Sequence, residues 1–182
     1  RLCFVGQDTF QAGRTAAGLM GEMTGGTGQV AIISGQVANP GLISRQKGFS
    51  TEIKESFPGT EIVDIRYSYD DEWVASKIVE ELLELYPELT GIYITGHGVK
   101  GVCQTLQKLG KDKTMHVIAN DFLEENLKWL KEGTINFLIG QDAAVQGHSP
   151  VTILFQLLFD SKAPEKEYQY TDIVIRTKYN MG

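Results

Sequence analysis

Short apolar runs alternate with amphipathic stretches from one end of the chain to the other, and this alternation restricts the fold most. The runs from Leu2 to Val5, Val30 to Ile33, Ile62 to Tyr67, Ile92 to Thr95, His116 to Ala119, Ile135 to Ile139 and Tyr170 to Arg176 read as strands. Between the first two, Asp8 is a helix N-cap, and Phe10, Ala12, Ala16, Ala17, Leu19 and Met20 follow at helical spacing. Gly25-Gly26-Thr27-Gly28 ends that helix. Further helices are expected from about Gly41 to Phe57, from Asp70-Asp71 to near Pro87, and from Val99 to Leu109. Two more are expected around Leu123 to Lys131 and from about Ala143 to Phe159. Strands separated by helices need crossovers, and right-handed crossovers build a mostly parallel sheet flanked by helices. The fold class is therefore α/β. In such a sheet ligands bind at the carboxyl ends of the strands. The residues at those ends are nearly all polar or glycine: Gly6-Gln7-Asp8, Ser34-Gly35-Gln36, Tyr67 to Asp70, Thr95 to Gly98, Asn120-Asp121 and Gly140 to Asp142.

Bulk properties remove several function classes. The 182 residues suffice for one domain with a sizeable core or for two small lobes. The formal charge of −6 argues against nucleic-acid binding by this chain alone, which would need a basic patch. Cys3 and Cys103 lack metal-type spacing and read as small buried hydrophobes, which favours a reducing compartment. The apolar runs are strand-sized, so no segment is expected to span a membrane. The chain begins at Arg1 directly before a strand, and an upstream part is expected to precede it.

Gly96-His97-Gly98-Val99-Lys100-Gly101 matches the dinucleotide-binding pattern, and Asp121 follows in the place of a ribose-binding acid. The pattern sits in the fourth strand–helix unit, however, whereas the fingerprint belongs to the first. A tight turn in a glycine-rich chain is the simpler reading. Gly25 to Gly28 precedes a strand and lacks the ending of a phosphate loop. His97, His116 and His148 are not spaced for a metal. Ser34 lacks the flanking glycines of a nucleophile elbow, and no catalytic triad stands out. No cofactor is called for, and a binding protein is a better reading than an enzyme.

A polyhydroxylated ligand would suit another set. Arg45 can donate a fork of hydrogen bonds to adjacent hydroxyls. Asp121 can accept from two hydroxyls, and the Gln141 amide can both donate and accept. A tyrosine ring near the end of strand three, at Tyr67 or Tyr69, can cover the apolar face of a pyranose. Each residue alone has a plainer role: a surface arginine, a helix cap, a crossover hydrogen bond.

Phe4-Val5-Gly6-Gln7-Asp8 with Ala12-Gly13-Arg14, Ile33-Ser34-Gly35, Arg45 to Phe49, Val117 to Asp121, and Ile139 to Asp142 with Gln146-Gly147 occur in a distinctive order. The chain thereby resembles the effector-binding core of lactose-repressor (LacI) type regulators and the type 1 periplasmic sugar-binding proteins. The resemblance implies two lobes around a cleft. Residues 28–140 and 167–182 would belong to the C-terminal lobe, and 1–27 and 141–166 to a remnant of the N-terminal lobe and its crossovers. Arg45, Asp121 and Gln141 match ligand-contacting positions, and Tyr69 an aromatic contact, with Trp73 as the alternative. Gly96-His97 stands where the family has Asn-Asp, so His97 is a candidate contact in place of the asparagine. Asn39, in the loop after strand two, is a further candidate.

The first expectation is a cytoplasmic transcriptional regulator. It would bind a carbohydrate-like effector, form a homodimer, and reach DNA only through an upstream segment. The alternative is the solute-binding protein of a sugar ABC importer, and a dinucleotide-binding enzyme comes third.

Overall fold

A computed structural model describes residues 2–181. Arg1 lies outside the described residues. Strands and helices alternate as the sequence pattern requires: β1 (Phe4–Gln7), α1 (Thr9–Thr24), β2 (Thr27–Ser34), α2 (Pro40–Ser56), β3 (Gly59–Tyr67), α3 (Glu72–Leu85) and β4 (Leu89–Ile94). They continue as α4 (Val99–Lys108), β5 (His116–Asn120), α5 (Glu124–Glu132), β6 (Phe137–Gln141), α6 (Ala143–Asp160), β7 (Tyr168–Thr171) and β8 (Ile173–Arg176).

The main sheet has six strands in the order β3-β2-β4-β5-β6-β8. Its strands pair in parallel except β8, which runs antiparallel to β6. A parallel sheet must be covered on both faces, and its strands are accordingly almost wholly apolar. Side chains alternate between the two faces. Ala31 and Ile33 point into a core shared with Ala75, Val79 and Leu82 of α3, Val102 and Leu106 of α4, and Trp129 and Leu130 of α5. Val30 and Ile32 point the other way, against Ala12, Ala16, Ala17 and Met20 of α1 and Phe49 and Ile53 of α2. On that second face the Phe49 and Tyr93 rings stack with centroids 4.7 Å apart.

Two assignments change. The first helix was expected to belong to the N-terminal lobe. Instead α1 covers the main sheet, because its small residues bury completely there and let it lie against α2. Gly13 and Gly48 set the approach: a Cβ on Gly13 would overlap the Arg45 carbonyl oxygen, and one on Gly48 would overlap that of Phe10.

The second change concerns the tail. The single strand expected from Tyr170 to Arg176 is two strands in two sheets, broken at Asp172. β7 pairs in parallel with β1, and only β8 joins the main sheet. Residues 168–171 therefore pair with the small sheet and not with the main one.

β1 and β7 form a separate two-stranded sheet beside α6. None of the residues of α6 is buried, although the helix is strongly apolar. Leu154, Phe155, Leu158 and Phe159 are all more than half exposed. No helix among the described residues is long and apolar enough to cross a membrane.

Candidate functional site

Three chain crossings connect the small sheet with the main one: Gln7-Asp8, Gln141-Asp142 and Thr171-Asp172. Two of these aspartates start helices. Asp8 accepts from the Gln11 amide at the head of α1, and Asp142 accepts from the Val145 amide at the head of α6. The carboxyl ends of the main sheet's parallel strands lie beside these crossings.

Arg45 comes from the inner face of α2 and is only 5% exposed. Its Nη1 donates to the Thr95 carbonyl at 2.8 Å, just past the end of β4. Its Nη2 donates to Gln7 Oε1 at 3.1 Å and lies 3.7 Å from Asp121 Oδ1. Its buried Nε makes no hydrogen bond. Burying a guanidinium is costly unless it is paired and hydrogen-bonded, and these partners supply that compensation.

Asp121 leaves the end of β5 with φ at 68°, in the left-handed region. Aspartate tolerates that region better than most residues. Its amide donates to the Ile139 carbonyl, and its own carbonyl accepts from Asn126 Nδ2. The carboxylate is thereby held next to β6, where Gln141 Nε2 donates to Oδ1 at 2.8 Å. Gln141 Oε1 accepts from Gln146 Nε2 at 3.2 Å. The side chain of Asp121 is 38% exposed, so the carboxylate can still accept from an incoming group. A cation, a carboxylate and an amide thus meet at one strand-end edge, each with donor or acceptor capacity left over.

The remaining candidates are more scattered. His97 is exposed and lines a cleft of about 70 Å³ whose other wall includes Asp121 and Asn126. Tyr69 is 60% exposed and forms a left-handed turn with Asp70, at φ values of 55° and 63°. Its loop is tied to the one after β2: the Tyr69 amide donates to Gly35, and Gln36 Nε2 donates to the Tyr69 carbonyl. Trp73 is 69% exposed on the first turn of α3. Asn39 caps α2, where its Oδ1 accepts from the Gly41 and Leu42 amides. Its side-chain acceptor is therefore already engaged. None of these four makes a side-chain hydrogen bond to Arg45, Asp121 or Gln141.

Gln7 carries a part that the sequence reading did not give it. It is 3% exposed and its amide bridges Arg45 and the Gly140 carbonyl. A polar side chain at the end of a short apolar strand was the available signal. Tyr93 and Asn120 were likewise missed. Asn120 Nδ2 donates to the Tyr93 hydroxyl and to the Ile94 carbonyl under the floor of the site. Burial pushes the Tyr93 phenol up to about 12, so it stays protonated and neutral near neutral pH.

The glycine motif after β4 has a different explanation from nucleotide binding. A Cβ on Gly101 would overlap the Glu72 carbonyl oxygen, so this glycine lets α4 lie against α3. Gly98 takes φ at 98° where the chain turns into α4. The head of α4, where a pyrophosphate would sit, already holds a carboxylate: Glu72 Oε2 accepts from the Gly101 amide at 2.6 Å. Among the described residues no group of three His, Cys, Asp or Glu side chains is placed to hold a metal ion.

The model for the periplasmic binding protein domain matches residues 1–162. The chain belongs to that family. Sugar-binding and solute-binding proteins of known structure superpose on it closely. A sugar-binding protein of a sugar ABC transporter from Bacillus halodurans is 28% identical with a TM-score of 0.92, over 99% of this chain and 65% of that one. AraP, an arabinose-binding protein from Geobacillus stearothermophilus, is 26% identical with a TM-score of 0.91, over 99% of this chain and 64% of that one. An ABC transporter solute-binding protein from Burkholderia graminis C4D1M, solved with D-arabinose, is 31% identical with a TM-score of 0.90, over 100% of this chain and 63% of that one. The chain therefore spans less than two thirds of the length of these relatives. No curated protein matches it. The type 1 periplasmic-binding-protein fold holds, but these relatives support neither the LacI-type regulator nor its DNA contact and homodimer.

Proposed function

We propose that this domain supplies most of one wall of a carbohydrate site in a solute-binding protein of an ABC importer. The observation that carries the reading is the convergence of Arg45, Asp121 and Gln141 at the carboxyl edge of the parallel sheet, beside all three crossings. Its likeness to ABC-transporter binding proteins favours the importer over the regulator as its setting. With an importer goes action outside the membrane, in place of the cytoplasmic setting expected for a regulator.

The chemistry fits a sugar. The Asp121 carboxylate accepts from ring hydroxyls, the Arg45 guanidinium donates to them, and the Gln141 amide does either. His97, across the small cleft from Asp121, adds a ring nitrogen that can donate or accept. Tyr69 or Trp73 offers an exposed ring at the rim. The domain binds rather than catalyses. A second lobe would close over the ligand by bending the three crossings, as hinge-type binding proteins do. Moving such an equilibrium from 1:99 to 99:1 takes about 5.5 kcal/mol of differential affinity. Hydrogen bonds to charged groups contribute about 1.5–3 kcal/mol each, so two or three cleft contacts suffice.

The test is titration calorimetry of the full-length protein against pentoses and hexoses, D-arabinose included. At least one sugar should bind, and Arg45→Ala should weaken it by roughly 10- to 100-fold. Full affinity in the variant would remove Arg45 from the site, and no heat with any sugar would refute the carbohydrate reading.

A further inference from the structure

Gln7 occupies an unusual place. It ends β1, so it belongs to the small sheet by pairing, with Thr171 as its register partner. Its side chain nevertheless points into the main lobe and is 3% exposed. There the two ends of one amide are used separately. Oε1 accepts from Arg45 Nη2 at 3.1 Å, and Nε2 donates to the Gly140 carbonyl at 2.9 Å. Gly140 directly precedes the second crossing. Arg45, for its part, has one Nη fixed by Thr95 of the main lobe and the other by Gln7 of the small sheet. A rotation of the small sheet about the crossings therefore cannot leave the guanidinium unaffected.

We infer that Gln7 is a positioning residue, which holds the Arg45 guanidinium in its site-facing orientation and ties it to the chain crossings between the two sheets. The inference rests on the proposed role of Arg45 in the site, but its central claim concerns the free protein. One amide reads the crossing geometry through Gly140 and passes it to the cation. A ligand that draws on Arg45 Nη2 therefore competes with, or reinforces, a contact that depends on the angle between the lobes. The Asp121 carboxylate, at 3.7 Å, is too far from Nη2 for a strong hydrogen bond and cannot replace the amide without moving.

The experiment uses the full-length protein without ligand. Arginine side-chain NMR reports whether rotation about the Arg45 Cζ–Nη2 bond is hindered. In the wild type the Nη2 signal should be distinct and slow. In Gln7→Met, which keeps the volume but neither hydrogen bond, it should average. Gln7→Glu, which keeps the acceptor and loses the donor to Gly140, should restore hindered rotation. If Gln7→Met does not fold, Gln7→Leu, which likewise lacks both hydrogen bonds, gives the same readout. A hindered Nη2 in Gln7→Met or Gln7→Leu overturns the inference, as does a freely rotating Nη2 in the wild type. A parallel titration with D-arabinose separates the two claims. If it binds, Gln7→Met should weaken it by about 10-fold and Gln7→Glu should recover most of the loss. Unchanged affinity in Arg45→Ala alongside a loosened Nη2 in Gln7→Met would refute the binding reading and leave the positioning role standing.

Discussion

Gly13 lies at one of the two tightest points between α1 and α2, and replacing it with alanine separates two effects that normally oppose each other. In the interior of a helix, Gly→Ala gains about 0.8–1 kcal/mol of helix propensity. At Gly13 the new Cβ would overlap the carbonyl oxygen of Arg45 and crowd the Phe49 amide nitrogen at 2.9 Å. Both obstacles are backbone atoms of a packed helix, so no side chain can rotate away. The helices must part, and overpacking of this kind costs about 1–3 kcal/mol, occasionally more. The balance should be a net destabilisation of up to about 2 kcal/mol. Gly18, in the same helix, is the control: a Cβ there meets nothing within 4 Å. Gly18→Ala should therefore stabilise by roughly 0.5–1 kcal/mol. Urea denaturation of the full-length protein, wild type and both variants, measures the difference at constant m-value. Equal stability of the two variants would refute the packing argument. Because the obstructed oxygen belongs to Arg45, Gly13→Ala should also weaken ligand binding, whereas Gly18→Ala should not.

Asp121→Asn keeps a residue that tolerates the left-handed backbone and removes the charge beside Arg45. It should leave the fold intact and lower sugar affinity by about 10-fold, measured by calorimetry, while Asp121→Ala should also lower the melting temperature. Tyr93→Phe should cost about 1 kcal/mol at neutral pH through the lost bond to Asn120. Its alkaline behaviour follows from the raised phenol: that stability is fully present below the unfolded pKa near 10 and is lost as pH rises through about 12. Denaturation curves from pH 8 to 12 should thus show the wild type losing its advantage over Tyr93→Phe above pH 10. A constant gap would contradict the burial of a neutral phenol. Finally, the exposed apolar face of α6 should make residues 1–182 associate when expressed alone. Replacing Leu154 and Leu158 by serine should reduce that association in sedimentation velocity, and an unchanged distribution would show that the face is not the cause.

Most of the main sheet was legible in the sequence because its signals are local. Val30 to Ile33 and Ile92 to Thr95 are short apolar runs closed by polar or glycine residues, and the helices between them begin at recognisable caps such as Asp8 and Asp71. What sequence could not supply was the partner of an element. Ala12, Ala16 and Ala17 mark a helix that packs closely, but not against which sheet. Tyr170 to Arg176 reads as one strand, since nothing in its alternation reports that two sheets share it at Asp172.

The site divides along the same line. Arg45, Asp121 and Gln141 stand at strand ends or on the helix that follows one, so topology alone collects them at one edge. Asn39 has the same local signature and turns out to cap α2, because an asparagine just before Pro40 is placed to satisfy the first amides of that helix. Gln7 has an ordinary sequence context, yet its amide ties Arg45 to the Gly140 carbonyl. The glycines of Gly96 to Gly101 show the reverse case. Their spacing suits a pyrophosphate, but the same freedom of approach serves α3 and α4, and the acid that decides between the two readings, Glu72, lies far upstream of the motif in sequence. A phosphate at the head of α4 would have to displace a carboxylate already bound to the Gly101 amide and sit near Glu125, another acidic side chain lining that cleft. An uncharged, hydroxyl-rich ligand at the neighbouring Arg45–Asp121–Gln141 edge would have no carboxylate to displace from a helix head.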